Sequence, residues 1–389
     1  MTDKRQLIYL VAGESSGDLH TASVMAELKR IHSGLTFKGI GGDLMIKQGL
    51  EAIYHVRDFS IMGFGEILTR IFFLKKVFKN LYREILNDKP RVILLTDFSE
   101  FNLRFAAYLK KNHVPVKIVR LVSPQIWASR PGRITRIVET YDCLCCILPF
   151  EKQIYAEYKN FDCRFVGNPL LDQYRLRLTR DVFYERYGLN PEEKVIAIFP
   201  GSRKQEIKHH MPILMRSVNL VKKKYPEWQF IICKSGAVNL SEYQPLIDQF
   251  KIQTCTDEYQ WECFRYSSLV WSKSGTATLQ AVIARTPGLI FYRTNPVTFA
   301  IAKRIIKVKY IGLANLIADE ELMPELIQDD FNPLRMAKLT EQFLTDEKFY
   351  DLAITDFGRV VEKLGTPGAA RKTAEAVYEY YLKSIKQFG

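Results

Sequence analysis

The stretch VIAIFPGSRKQEIKHHMPILM, residues 195–215, decides the fold. Val195 to Phe199 read as a buried strand, Pro200 to Arg203 as a tight turn, and the pattern from about Gln205 as a helix. A strand that hands a turn straight to a helix leaves the first helical N–H groups unpaired and turns the positive end of the helix dipole outward. Such a place suits a phosphate, and the Arg203 guanidinium adds to it.

The same alternation extends in both directions. Upstream, QLIYLVAG, RVILLTD, VKIVRLVS and CLCCILP read as buried parallel strands, with helical stretches such as Thr21–His32 and Asn102–Asn112 between them. Downstream, WQFIICK, SLVWSKSG and GLIFYR repeat the pattern, with a helix from about Thr276. The polar stretch YRLRLTRDVFYERYGLNPEEK between the two sets reads as an interdomain connection. The expected class is α/β, with two Rossmann-like domains facing each other across a cleft in the GT-B manner. The expected bounds are 1–170, 190–332 and a helical C-terminal tail, 333–389.

Composition narrows the function classes. The chain has 389 residues, 47% hydrophobic and 25% charged, so it is globular rather than disordered. Its longest apolar runs fall short of the roughly 18 residues that span a bilayer. LIYLVAG lasts seven residues before Glu14 and Asp18 and reads as a first strand rather than a leader, which places the protein in the cytoplasm. The net charge of +13 calls for an anionic partner: nucleic acid, a membrane surface or a phosphorylated substrate. A nucleic-acid binder would cluster its Lys and Arg with stacking aromatics, whereas here they are spread along the chain, so no nucleic acid is expected. Cys143, Cys145 and Cys146 lack a second ligand pair at zinc spacing and read as buried strand cysteines. His209 and His210 point about 100° apart on a helix and read as a solvated face.

Ligands of doubly wound sheets gather at the carboxyl ends of strands. Four such ends carry polar chemistry. VAGESSGDLH has a glycine turn with Glu14, lacks the third glycine of a dinucleotide fingerprint, and serves either a ligand or helix caps. RVILLTDFSEFN puts Asp97 at a strand end, as a general base for a sugar hydroxyl or as an N-cap, with Glu100 one turn on. The third end is the opening stretch. The fourth, WSKSGTATLQ, presents Ser274, Gly275 and Thr276 at a helix start, and two phosphate-shaped turns in one half point to a nucleotide diphosphate. No Asp-x-Asp occurs, so helix ends and Arg203 are expected to stabilise the leaving phosphate without a metal or other cofactor.

These residues resemble the lipid-A-disaccharide synthase family, from about Leu7 to about Gln328. The likeness is carried by VAGESSGD, GIGGDLM, MGFGEIL, SPQIWASRPGRI, LPFE, FVGNPLLD, FPGSRKQEI, SGTATLQA, FYRTNPVTFAIAKRIIKVKYIGLANLIA and MPELIQ. It implies an inverting hexosyltransferase that joins UDP-2,3-diacylglucosamine to the 6-hydroxyl of 2,3-diacylglucosamine 1-phosphate, giving a β-1′,6 disaccharide and UDP. By the same resemblance Asp97 or Glu14 is the base. Gly201, Ser202, Arg203, Ser274, Gly275 and Thr276 hold the diphosphate, and Gln280, Tyr292, Arg293, Asn315 and Gln328 line the donor side. Three places depart from the family's usual residues: Gln280 for Glu, Asn168 for His, and Ser99-Glu100 for Pro-Asp. Gln280 can still accept a hydrogen bond, without the charge.

Substrates with acyl chains imply a membrane surface. FSIMGFGEILTRIFFLKKVFKNLYR, residues 59–83, mixes large apolar residues with Arg70, Lys75, Lys76 and Lys79, and FAIAKRIIKVKY is similar. Ile61, Met62, Phe64, Ile71 and Phe72 are the expected acyl and membrane contacts, against anionic lipid on the inner face of the bacterial inner membrane. The alternative is a core helix whose lysines snorkel. A rival within the fold is a UDP-sugar 2-epimerase, which needs no lipid surface, and the sequence sets no oligomeric state.

Overall fold

A computed structural model describes residues 6–59, 67–129, 131–236, 239–306 and 308–388. The chain divides into two compact units, residues 1–172 with 364–389, and residues 173–363.

The first unit is built on seven strands: β1 (Leu7–Ala12), β2 (Thr36–Gly41), β3 (Leu50–His55), β4 (Val92–Thr96), β5 (Lys117–Leu121), β6 (Cys143–Cys146) and β7 (Asp162–Phe165). Their order across the sheet is β3-β2-β1-β4-β5-β6-β7, and every pairing is parallel. Helices cover both faces, which is why β1, β4 and β6 read as continuous apolar runs. Ile8, Leu10, Leu94 and Cys143 pack on one face; Tyr9, Val11, Ile93 and Leu144 pack on the other. Cys143, Cys145 and Cys146 are buried strand cysteines, as their setting in the sequence suggested.

The second unit has six strands: β8 (Val195–Phe199), β9 (Gln229–Lys234), β10 (Gln253–Thr256), β11 (Leu269–Lys273), β12 (Gly288–Tyr292) and β13 (Glu325–Ile327). They run β10-β9-β8-β11-β12-β13, again all parallel.

Two expected boundaries are corrected. The polar stretch after residue 173 belongs to the second unit: Phe183 and Tyr184 of the helix Arg180–Arg186 are buried, and the Tyr184 hydroxyl donates to Tyr266 O at 2.8 Å. The tail 333–389 is shared out between the units. Helices Pro333–Thr345 and Glu347–Lys363 stay with the second, while Ala369–Phe388 packs on the helix Ser15–Ile31 of the first. Ala374, Val377 and Tyr380 join that core, and the Tyr380 hydroxyl donates to Asp142 O at 2.8 Å. An apolar stripe needs a surface to cover, and here that surface, the helix Ser15–Ile31, lies some 350 residues earlier in the chain.

In each sheet the strand order reverses once, between β1 and β4 and between β8 and β11. Those switch points are where a doubly wound sheet opens a crevice at its strand ends.

Candidate active site

Asp97 follows β4 at the first switch point. Asp97 and Phe98 both have left-handed backbones, with φ of 47° and 46°. Non-glycine residues rarely adopt that region, and two in succession persist only where the surroundings hold them. Arg120, fully buried in β5, does much of this. Its Nη1 donates to the Asp97 carbonyl, its Nε to Val122 O at 2.9 Å and its Nη2 to Ser99 Oγ at 3.1 Å. Asn102 Nδ2 adds bonds to Thr96 O at 3.2 Å and Asp97 O at 2.8 Å. The Phe98 ring in turn crowds Gly13: a Cβ there would lie 2.4 Å from it, so this turn requires glycine.

With its main chain fixed, the Asp97 carboxylate turns toward the start of the helix Ser15–Ile31. Ser16 Oγ donates to Asp97 Oδ2 at 3.0 Å, and a Cβ at Gly17 would touch the same oxygen at 3.4 Å. Burial pushes the His20 imidazole below its ordinary value, and the charge of Asp97 opposes that shift. Asp97 is not the cap of the helix Ser99–Lys111; Phe98 occupies that position with no side-chain bond. Glu14 stands exposed at the N-cap of Ser15–Ile31 and also makes no capping bond. The capping in this motif falls to Asp18, whose buried carboxylate accepts from the N–H groups of Gly42, Leu44 and Met45 at 2.7, 3.1 and 3.1 Å. Burial raises Glu100, but Arg104 and Arg133, at 2.7 and 2.6 Å, outweigh it and hold the carboxyl below its usual range. That pairing sets Glu100 apart from Asp97.

At the second switch point, Gly201, Ser202, Ser274, Gly275, Thr276 and Gln280 line one cavity of about 480 Å³, together with Lys273. This volume suits a nucleotide-sized ligand. Gly201 and Gly275 have φ of +123° and +143°, where a side chain is strained, and Gly275 caps the helix Thr276–Ala284. The first phosphate turn already contains an anion of the protein's own. Glu206 Oε2 accepts from Ser202 N at 3.0 Å, and Glu206 Oε1 lies 3.0 Å from Lys273 Nζ and 3.9 Å from Arg203 Nη1. Burial raises the Glu206 carboxyl, Lys273 outweighs it, and the group stays ionised. Glu206 thus faces two cations, Lys273 and Arg203, while Asp257 and Glu258 line the same cavity. Arg203 is exposed, with Glu206 its partner at the turn.

Tyr292 ends β12 and Arg293 follows it, and neither lines this cavity. Asn315 does not face a ligand: it is fully buried, its Nδ2 donates to Met323 O and Glu325 Oε1, and its Oδ1 accepts from Leu322 and Met323 N. Every valence of that amide is used inside the fold. Gln328 likewise clasps the main chain of Thr294 through both ends of its amide. Asn168 is a buried bolt between Ile147 O and Leu170 N. His210 corrects the solvated-face expectation. It is fully buried, its Nδ1–H donates to Pro200 O at 2.8 Å and its Nε2 accepts from Arg293 N at 3.1 Å. Burial lowers its pKa, so it ties β8 to β12 as a neutral ring.

Sequence reasoning missed Arg120, Lys273, Glu206 and His20. The first two had a signal: a lone cation inside an otherwise apolar strand must find partners at a strand end.

Ile61, Met62 and Phe64 lie outside the described residues. Ile71 and Phe72 are exposed on the helix Ile67–Asp88, on the side that also shows Lys75, Lys76 and Lys79, while Val77, Leu81 and Ile85 bury the opposite side. The helix Pro296–Ile305 has no buried residue, and Val297, Ile301 and Ile305, spaced to share a face, are 68%, 55% and 46% exposed. No helix among the described residues is long and apolar enough to cross a membrane.

Residues 8–375 match the model of the family described as lipid-A-disaccharide synthetase. The chain belongs to that family. The lipid-A-disaccharide synthase of Syntrophotalea carbinolica is 36% identical over 96% of this chain and 95% of its own, and that of Geobacter sulfurreducens is 33% identical over 97% and 98%. Among solved structures, the S. aureus MnaA–UDP co-structure matches with a TM-score of 0.65 at 12% identity, covering 98% of each chain. The UDP-GlcNAc 2-epimerase of Neisseria meningitidis bound to UDP-GlcNAc matches at 0.60 and 14%, over 97% of this chain and 100% of that one. CalG4, the calicheamicin glycosyltransferase, matches at 0.58 and 15%, over 97% and 98%. At such identities the structures carry the fold alone, two Rossmann-like units of the GT-B type, so the epimerase likeness does not favour epimerase chemistry. As a lipid-A-disaccharide synthase family member the chain is a glycosyltransferase, and Gln280 lies on the cavity wall.

Proposed function

We propose that this glycosyltransferase condenses UDP-2,3-diacylglucosamine with 2,3-diacylglucosamine 1-phosphate to the β-1′,6 disaccharide 1-phosphate and UDP. The observation that carries the reading is the cavity at the β8/β11 switch point, where two glycine turns, Lys273 and Gln280 converge. A UDP group there would meet the N-terminus of Thr276–Ala284 and the cations Lys273 and Arg203, which oppose the charge that develops on the leaving diphosphate.

Inversion requires one displacement. The acceptor O6–C1′ bond forms as the C1′–O bond to the diphosphate breaks, the electron pair leaves with UDP, and the O6 proton passes to a carboxylate. Asp97 is the proposed base, set by Arg120 and Asn102 in a left-handed turn and held by Ser16, with His20 as a charge partner. Glu14, exposed one residue before Ser15–Ile31, is the second carboxylate able to position the acceptor. None of these roles uses a metal.

The acylated substrates are met at a membrane surface by the basic, apolar outer side of Ile67–Asp88 and the unpartnered stripe of Pro296–Ile305. On this reading the enzyme is peripheral, on anionic lipid at the cytoplasmic leaflet.

The test is UDP release from UDP-2,3-diacylglucosamine in detergent micelles with EDTA present, with and without the acylated 1-phosphate. Acceptor-dependent release is expected. Release that ignores the acceptor, or that EDTA abolishes, would overturn the reading.

A further inference from the structure

Three thiols meet on one face of the second sheet. Cys233 of β9 and Cys255 of β10 are register partners on adjacent parallel strands, so their side chains leave the sheet on the same side. The helix Gln260–Tyr266 packs against β8, β9 and β10 and brings Cys263 to the same point. The three Sγ atoms all lie within 4.8 Å of one another, and all three residues are buried. Three sulfurs bonded to one cation at about 2.3 Å would sit about 4 Å apart, so small side-chain shifts close the set.

The chemistry of the set selects its ligand. It contains sulfur only, with no imidazole or carboxylate in the group. Thiolates prefer soft cations, and three of them with no fourth His, Cys or carboxylate donor in the group among the described residues suit trigonal Cu(I) better than Zn(II), which calls for four ligands. A disulfide would engage two of the sulfurs and leave the third unexplained. Cys233 also lines the cavity at the β8/β11 switch point, and this gives an ion a path from solvent.

We propose that Cys233, Cys255 and Cys263 form a three-sulfur site for a soft cation of the Cu(I) type. Binding exchanges S–H for S–Cu bonds and releases the protons to solvent, and no electron is transferred. The site borders the proposed UDP cavity through Cys233, and no step of the glycosyl transfer is routed through it.

The test titrates the reduced full-length chain anaerobically with Cu(I) against a chromogenic Cu(I) chelator. Expected are one tightly held equivalent per chain, an ultraviolet sulfur-to-copper band, and an X-ray absorption shell of three sulfurs. Cys255→Ser and Cys263→Ser should each lower retention at least tenfold, while Cys146→Ser in the first unit should keep it. Circular dichroism checks that each variant is folded, and the wild-type absorption shell decides the matter if one is not. Loss of all copper to the chelator, a shell without three sulfurs, or full retention in folded Cys255→Ser would overturn the proposal.

Discussion

Glu206 Oε1 lies 3.0 Å from Lys273 Nζ, and the same carboxylate takes the Ser202 N–H of the phosphate turn. A diphosphate entering this cavity must therefore share both donors with a buried anion. Lys273→Met should weaken UDP binding by about 10- to 100-fold, the equivalent of one charge-assisted hydrogen bond of ~1.5–3 kcal/mol. It should also destabilise the fold by about 2 kcal/mol, less than for a fully buried pair because Lys273 is partly exposed. The double variant Lys273→Met/Glu206→Gln should recover the stability but not the UDP affinity. Calorimetric titration and thermal melts check both, and recovered UDP binding in the double variant would reduce Lys273 to a neutraliser of Glu206.

The left-handed pair Asp97-Phe98 is held through main-chain atoms by Arg120 and Asn102. Asp97→Asn should therefore keep its melting behaviour within about 1 kcal/mol, while turnover falls by about 10²- to 10⁴-fold. Arg120→Met should do the reverse in order of cause. It leaves the Asp97 and Val122 carbonyls short of a buried donor, costs about 3 kcal/mol, and loses activity through the displaced carboxylate. Near-wild-type turnover in Asp97→Asn, with a loss in Glu14→Gln, would move the base to Glu14.

The strands that read clearly in sequence were the central ones. LIYLVA, VILLT and VIAIF are buried on both faces, so apolar character alone marks them. The strands β2 and β3 at one edge of the first sheet, β7 at its other edge, and β10 and β13 at the two edges of the second were not marked by the sequence. The burial pattern of TFKGIG alternates for only part of its length, and QTCT and ELI are short and partly exposed, too brief to show a period. At the site, glycine turns and Asp97 were legible because backbone geometry restricts which residues can stand there. Asn315, Gln328 and His210 looked like ligand contacts or surface because a polar side chain in sequence does not reveal its partners. Each one satisfies main-chain groups of a distant loop.

Glu151 gives the first unit a pH-dependent stability. It is almost wholly buried after β6, accepting from Leu148 N at 3.0 Å, Ile147 N at 3.2 Å and Trp127 Nε1 at 3.3 Å. Burial outweighs those donors and pushes its carboxyl up to about 7. Because the folded value lies above the unfolded one of about 4.5, the protonated folded state gains stability that is fully present below pH about 4.5 and lost as pH rises through 7. The loss should amount to about 3 kcal/mol, on the scale of 1.36 kcal/mol per unit. Glu151→Gln should flatten this slope between pH 5 and 7 in urea melts. An unchanged slope would assign it to another group.

Val297, Ile301 and Ile305 present three apolar side chains to solvent from a helix with no buried residue, next to Lys303 and Arg304. Phe299 and Ala302 are its half-buried residues, and in the proposed membrane contact the exposed stripe enters a lipid interface while the cations meet anionic headgroups. On the helix Ile67–Asp88, by contrast, the apolar side chains at Val77, Leu81 and Ile85 belong to the core, and Phe72 is more exposed than Ile71 and Leu86. Val297→Ser/Ile301→Ser/Ile305→Ser should thus lower binding to anionic vesicles by at least tenfold, with melting unchanged because no packed contact is lost. Phe72→Ser alone should lower it only about threefold, in line with one side chain's smaller buried area. Vesicle co-sedimentation at two salt concentrations separates the contributions: the serine variants should keep the salt dependence of the remaining lysines, and equal binding by the triple variant would remove this helix from the membrane contact.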